Sequence, residues 1–406
     1  MMTKCLTAAL LSPILLIGCG GASSGAGGNS SMTESSAQTA PQDDEGKTSP
    51  SLTMPFTITE VAGFNKPWAM TFLPGTSYAL VTEKPGKLIL FDTQDSSKVE
   101  VSGVPTIDYG GQGGLGDIVI APGMLDANGR HALYLSYVEP GSGGTRGAAV
   151  ARAALEIDDT GNGSAKLLNL QVIWRQDPKV TGRGHFSHRI AVAPDGRHIF
   201  ISSGDRQMGT PAQEMNVNLG KIIRLKPDGG IPADNPFASQ GGVAAQIWSL
   251  GHRNMLGLAF DGDGQLWASE MGPMGGDEIN LVQRGGNYGW PEVSNGSHYS
   301  GEPIPDHSTT NRFTPPQAWW NLSISPAGMA YYNAPLFPQW HNSLLAGALS
   351  GKALVRLRIE GSRLVKADHW PMKRIREVET GPDGAIWLLE DGNNAKLLKL
   401  TPRSES

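Results

Sequence analysis

Cysteine is almost missing from this chain. Cys5 and Cys19 are its only two, so residues 20–406 contain no thiol. That excludes a disulfide framework and a thiolate metal site from the bulk of the protein. Charge is scarce as well, at 17% of residues against about 25% in ordinary soluble domains. The formal balance is −5, and without a basic field nucleic acid is excluded as a partner. A local basic pocket is still compatible with that balance. Beyond residue 17 no apolar run is long enough to cross a membrane. Helical periodicity is equally rare, because 53 Gly and 28 Pro interrupt nearly every stretch.

What is present begins with an export signal over residues 1–18. A short start at Met1–Lys4 precedes an apolar core from Leu6 to Ile17. Its end, Leu16-Ile17-Gly18-Cys19, resembles a bacterial lipoprotein cleavage box. The resemblance implies Cys19 as the lipidated first residue and a lipid anchor on the periplasmic face of the outer membrane. An ordinary signal peptide with a soluble product is the alternative. Residues 19–51 are rich in Gly, Ser, Thr and Gln and read as a flexible tether. The folded domain is expected over residues 52–402.

Within that domain one pattern recurs: an apolar strand, a Gly-containing turn, a second apolar strand. Trp68–Gly75 then Tyr78–Val81, Ile190–Gly196 then His198–Ile201, Leu258–Gly264 then Leu266–Ala268, and Val378–Gly384 then Ile386–Leu389 are copies, with looser ones at Asp117–Ser136 and Gly328–Gly347. Each reads as a β-hairpin. About six such units, roughly 45–75 residues apart, predict an all-β fold, a six-bladed β-propeller with four-stranded antiparallel blades. Loops from successive blades of a propeller converge on one face, so residues distant in sequence can share a site.

The segment Ile247–Pro291 concentrates polar chemistry at such loops. Arg253 and Asn254 stand at a strand entrance, where an Arg is often just a solvated rim charge. Glu270-Met271-Gly272-Pro273 and Gly276-Asp277-Glu278 offer oxygen donors with no His or Cys nearby. Oxygen donors suit a hard cation such as Ca²⁺ better than zinc, although a tight acidic turn without metal explains them equally well. Arg374 and Arg376 alternate along a strand and so share one side; their guanidinium forks suit carboxylates. His185, flanked by glycine, and Asp205, after the next strand of the same hairpin, make a candidate general base with its orienting carboxylate. Taken alone, a structural histidine and a turn-capping aspartate are simpler explanations. Gln112 lies in a glycine-rich loop that lacks the Lys-Ser/Thr of a phosphate loop. Trp319 and Trp320 are core residues or stacking platforms.

Together these residues resemble the soluble pyrroloquinoline quinone (PQQ)-dependent sugar dehydrogenase family, six-bladed propellers that oxidise aldoses. The motifs are GQGGLGDIV, GRGHFSHRIAVAPDG, GKIIRLKPDGGIPADNPF, LGHRN, SEMGP, GGDEINLVQRGGNYGWP and KRIREV, spread from Phe64 to Leu400. Compact loops place the chain nearer the aldose sugar dehydrogenase branch than the longer glucose dehydrogenases. The resemblance implies His185 as general base with Asp205 behind it, and Arg253 and Asn254 at the reactive quinone. It implies Gln112, Arg374 and Arg376 as cofactor contacts, and Gly272 and Pro273 as carbonyl ligands of a cofactor-bound Ca²⁺. Asp277 and Glu278, with Tyr288 nearby, match a structural calcium site, and Trp320 matches a pocket aromatic.

Two departures stand out. A basic cofactor contact of the glucose dehydrogenases aligns with Ser350, and Lys352, two positions later, is the candidate replacement. His188 makes this chain read HFSHR where related sequences tend to read HFGSR. The implied partners are an aldose substrate and an external electron acceptor, for a monomer or homodimer. Two other readings are a Ca²⁺-dependent lactonase propeller, which needs carboxylate and Asn ligands converging on the axis, and a non-enzymatic binding propeller.

Overall fold

A computed structural model describes residues 54–125, 128–158 and 163–403. The expected signal, tether and Cys19 lie outside the described residues. The described chain is built of strands, with helical structure limited to 3₁₀ turns of three or four residues. All six anticipated hairpins form. Their first strands are Pro67–Phe72, Leu115–Leu125, Ser187–Val192, Met255–Phe260, Pro326–Tyr332 and Ile375–Thr380. Each pairs antiparallel with the strand that follows it. These six first strands also pack against one another in cyclic order, the last against the first.

Outside this ring each hairpin extends outward. Four sheets have four strands, and one has eight, in which the units 67–102 and 115–175 are joined at their outer edges. The seam is a short parallel pairing of Val101 with Ala165 and Ser102 with Lys166. In the last sheet the outermost strand comes from the start of the domain: Phe56–Phe64 pairs antiparallel with Ala395–Pro402. Neither feature is written in the hairpin pattern.

The strands are apolar on both faces because each sheet is covered by its neighbours. In Tyr78–Glu83, Leu80 faces a cluster with Leu115 and Leu133, while Ala79 and Val81 face Phe64, Phe91 and Trp387. Ile199 and Ile201 pack away from Phe200 in the same way. This two-residue period is the geometry of a pleated strand.

One irregularity recurs and matters for function. All six first strands carry a register shift near their beginning, at Pro67/Ala69, Leu115/Ile118, Ser187/Ile190, Met255/Gly257, Pro326/Met329 and Ile375/Glu377. A bulge bends the strand and re-aims the side chains beside it. The site residues cluster where these shifts occur.

Candidate active site

His185 precedes the Ser187–Val192 strand, and Asp205 follows the Ile199–Ser203 strand to which it pairs. Pairing of Ser187 with Ser203 therefore brings them together: His185 Nδ1 donates to Asp205 Oδ1 at 2.7 Å, both side chains buried. Gly204 makes the approach feasible, since a Cβ there would lie 2.1 Å from the His185 carbonyl oxygen. The loop is conformationally tense. His185, Ser187 and His188 have φ of 47°, 57° and 60°, a left-handed region that non-glycine residues enter at a cost and that marks functional sites.

Asp205 is held on every side. It accepts N–H bonds from Gln207, Gly209 and the Trp290 indole at 2.8, 3.2 and 2.8 Å. Burial alone raises a carboxyl pKa, but here the His185 bond and these donors outweigh it and hold Asp205 below its usual range. An ionised carboxylate fixes the imidazole tautomer: with Nδ1 committed, Nε2 is the nitrogen that takes up a proton. The backbone N–H of His185 donates to Gln112 Oε1 at 2.7 Å.

Gln112 opens onto a cavity of about 320 Å³. Its cationic wall is Lys84, Arg374 and Arg376, with Asp391 among them, and Trp68, Phe186, Leu256, Met271 and Leu349 supply apolar surface. The two guanidinium forks grip opposite oxygens of Asp391. Arg374 contacts Oδ2 at 2.9 and 2.8 Å, and Arg376 contacts Oδ1 at 3.0 and 2.8 Å. Three cations against one carboxylate leave a surplus of positive charge.

His188 forms part of the lining as an aromatic surface. Burial above all, then the nearby Arg189, lowers its pKa to about 3, so the ring is neutral. It stacks on Trp68 with centroids 4.9 Å apart and hydrogen-bonds Ser136 at 2.8 Å. Gly116 leaves room for it, because a Cβ there would sit 2.0 Å from the ring. The larger residue is thus accommodated without displacing His185.

Arg253 and Asn254 enter from the next unit. Arg253 C=O accepts from Asp205 N–H at 2.8 Å, and Arg253 Nη1 donates to the carbonyls of Met271 and Gly272 at 3.0 and 2.6 Å. Asn254 Oδ1 accepts from the Ser187 hydroxyl at 3.1 Å. Gly272, Pro273, Glu278 and Tyr288 line a neighbouring crevice with Arg253 and Trp290; Met271 belongs to both crevice and cavity. Asp277 accepts three backbone N–H bonds, from Gly272, Ile324 and Ser325 at 2.8, 2.7 and 2.7 Å. Its carboxylate ties two loops together. Glu278 is buried beside Glu270, and burial and then the Glu270 charge push its carboxyl well above the usual range. Tyr288 stacks on His252 at 4.5 Å, and its hydroxyl accepts from Gln283 N–H.

Two expected residues lie elsewhere. Lys352 is exposed at a turn where its φ of 48° takes it off the strand face, and it is not among the cavity-lining residues. Trp320 sits in the outer strand Ala318–Trp320, paired with Asp277, under the ammonium of Lys366 at 4.9 Å from its ring centre. Conversely, Lys84, Asp391, Trp68 and Trp290 were not anticipated. Lys84, Met271, Leu349 and Asp391 each directly follow the second strand of a hairpin. Aligning the six hairpins on their turns would have exposed that shared position.

A second cavity, of about 170 Å³, adjoins the first along the same strands and has the opposite chemistry: Asp117, Glu377 and Glu379 surround Arg189. Arg189 donates to Asp117 Oδ1 at 3.1 Å and to the Leu256 carbonyl at 2.6 Å, and pairs with Glu377. Its guanidinium lies 4.0 Å from the centre of the Trp68 ring.

The sequence model of the Glucose / Sorbosone dehydrogenase family matches residues 64–399. The chain belongs to that family. It is 37% identical over 344 residues, 83% of this chain and 90% of the relative, to aldose sugar dehydrogenase YliI of Escherichia coli (strain K12). The crystal structure of the soluble aldose sugar dehydrogenase of Escherichia coli in its apo form superposes with a TM-score of 0.79 at 36% identity, covering 86% of this chain and all of that one. The PQQ-bound form of aldose sugar dehydrogenase from Streptomyces coelicolor gives a TM-score of 0.69 at 27% identity, over 86% and 98% of the two chains. The protein is accordingly an enzyme of the PQQ-type sugar dehydrogenase family.

Proposed function

We propose that this protein oxidises the anomeric hydroxyl of aldose sugars to the lactone, with PQQ as the redox cofactor and Ca²⁺ bound beside it. In the same reading the six cyclically packed units are the blades of a propeller, the eight-stranded sheet being two blades fused at their rims. The observation that carries the function is the His185–Asp205 pair beside a cavity with a cationic wall, the backbone N–H of His185 bonding Gln112 in the lining.

The residues fit the cofactor. Its flat, tricarboxylated ring system needs apolar walls and cations, and Trp68, Phe186 and Leu256 line one space together with Lys84, Arg374 and Arg376. The forks on Asp391 show that these guanidiniums already recognise carboxylate geometry. In the neighbouring crevice the Gly272 carbonyl accepts from Arg253 Nη1, and carbonyl oxygens are donors of the kind a hard cation takes. Gly272 and Pro273 would hold the cofactor's Ca²⁺, and the buried carboxylates of Glu278 and Glu270 would be relieved by a second ion. PQQ supplies the two-electron acceptor that the side chains lack.

The chain's own residues do the rest. His185 takes the proton of the substrate's anomeric hydroxyl on Nε2, and Asp205 stabilises the imidazolium that results. Arg253, fixed by the carbonyls of Met271 and Gly272, presents positive charge where an oxyanion develops. The carboxylates of the second cavity do not suit a lactonase, because the Arg189 guanidinium lies among them. An external acceptor would take up the electrons. We also propose, from Leu16 to Cys19, that the enzyme is lipid-anchored at the cell envelope, which radiolabelled palmitate incorporation lost in Cys19→Ser would support.

The decisive experiment adds PQQ and Ca²⁺ to purified protein and follows dye reduction across a panel of aldoses. Aldose-dependent turnover with bleaching of the quinone absorbance is expected. No turnover with any aldose and no spectral change would sink the assignment.

A further inference from the structure

We infer that Lys84 is a direct anion contact of the cationic cavity, donating its ammonium to a carboxylate of the bound cofactor. This rests on the cofactor reading above and adds to it a residue from the first unit of the ring, close to Arg376 and Asp391 of the last.

Lys84 directly follows the Tyr78–Glu83 strand, and its backbone is pinned on both sides. Its N–H donates to the Lys66 carbonyl and its own carbonyl accepts from Leu115 N–H, both at 3.0 Å. The backbone therefore fixes where the side chain starts. Nζ donates to the Gly111 carbonyl at 3.1 Å, beside Gln112, and lines the cavity. An ammonium has three donors, and this bond uses one.

The other cations of the cavity are more committed. Arg374 and Arg376 each spend two N–H groups on Asp391. Lys352 is exposed and outside the lining. Ser350 directs its hydroxyl to Ser325 and to the Ser323 carbonyl, at 2.7 and 3.0 Å. Both guanidiniums are thus already paired with a carboxylate, whereas the Lys84 ammonium bonds a neutral carbonyl and keeps two donors for a ligand. It also sets the charge balance: with it the cavity holds three cations to one carboxylate, without it two to one. For a ligand with several carboxylates, losing one of three cations is a large fraction of the attraction.

The charged groups facing Lys84 are Arg376, Asp391 and Lys66, and His188 nearby is neutral. Burial first, and then repulsion from Arg376, lowers the Lys84 pKa to about 8, against a smaller opposing pull from Asp391. The ammonium is charged below that value and neutral above it. Affinity for a polyanion should therefore fall as pH rises through about 8.

The test is PQQ titration into the purified full chain at fixed salt, at pH 7 and pH 9. The readout is quenching of intrinsic tryptophan fluorescence, to which Trp68 in the cavity wall contributes. Lys84→Met is expected to weaken binding about tenfold or more at pH 7, the scale of one charge-assisted hydrogen bond, and to flatten the pH response. Lys84→Arg is expected to bind as wild type at pH 7 and to keep that affinity at pH 9. It also controls for folding, together with matched thermal melts. Lys352→Met is expected to stay within about twofold. Wild-type affinity in Lys84→Met at pH 7, or a larger loss in Lys352→Met, overturns the role of Lys84 and leaves the cofactor reading standing. A wild type that does not bind PQQ overturns both.

Discussion

The two cavities along the ring are lined by neighbouring residues of the same strands yet carry opposite charge. Arg376 and Glu377, His188 and Arg189, and Leu256 and Gly257 are adjacent pairs, the first of each facing one cavity and the second the other. One cavity holds three cations and one carboxylate, the other three carboxylates and one cation. They differ in how the imbalance is met. In the acidic cavity burial raises Asp117, Glu377 and Glu379 together, which favours their protonation, and Arg189 pairs with the charge that remains. Arginines cannot shed charge in that way, and only Lys84 on the cationic side titrates near neutrality. A surplus that the protein cannot neutralise internally is a binding site; one that it can is structure.

That contrast can be broken first at the chemistry. His185→Ala should cut turnover of the reconstituted enzyme by about 10²–10⁴-fold, the range for a lost general base, while PQQ affinity stays within a few-fold. Unchanged turnover removes His185 as base. On the acidic side Arg189→Met should instead destabilise the fold by about 3–5 kcal/mol, because buried carboxylates lose their counter-charge. Urea unfolding measures this, and a loss below about 1 kcal/mol would show that protonation alone satisfies the cluster.

The comparison sharpens at the strand where both signs meet. Arg376→Ala should weaken PQQ binding by about 10–100-fold, the worth of hydrogen bonds to a charged group, with little change in melting temperature. A stability loss without an affinity loss would move Arg376 to the structural side. The smallest effect is in pH. Burial, reinforced by Asp117 and partly opposed by Arg189, pushes Glu377 up to about 8 from the ordinary 4.5. The folded state therefore holds a proton that the unfolded chain releases, so stability should decline as pH rises from 4.5 to 8. Glu377→Gln should flatten that decline in a series of thermal melts, and an equally steep profile would mean another group carries it.

Much of this was legible in the chain. The apolar–Gly–apolar rhythm disclosed all six hairpins, because a turn needs its glycine nearby and a pleat shows its period within a few residues. The outer strands were not, since their partners are set by the curvature of the whole ring; the parallel seam at Val101 and Ala165 has no local signature. In the site, His185 and Asp205 were recoverable because one hairpin carries both, and Arg374 and Arg376 because alternation alone puts them together. Lys84 and Asp391 escaped because each looks like an ordinary turn residue, in Glu83-Lys84-Pro85-Gly86 and Glu390-Asp391-Gly392. Only closure of the ring brings the first unit beside the last. Lys352 shows the converse, a residue with the right chemistry that one left-handed turn diverts.

That closure has a consequence for synthesis on the ribosome. The strand Phe56–Phe64 emerges first among the described strands, but its partner, Ala395–Pro402, is translated last. Until then its backbone groups form an open edge of the kind that recruits other chains, and the first unit has no neighbour to complete the cationic wall. The cationic wall is therefore completed only late in synthesis, and losing the last eight-residue strand would leave all six hairpins translated but Phe56–Phe64 without its partner.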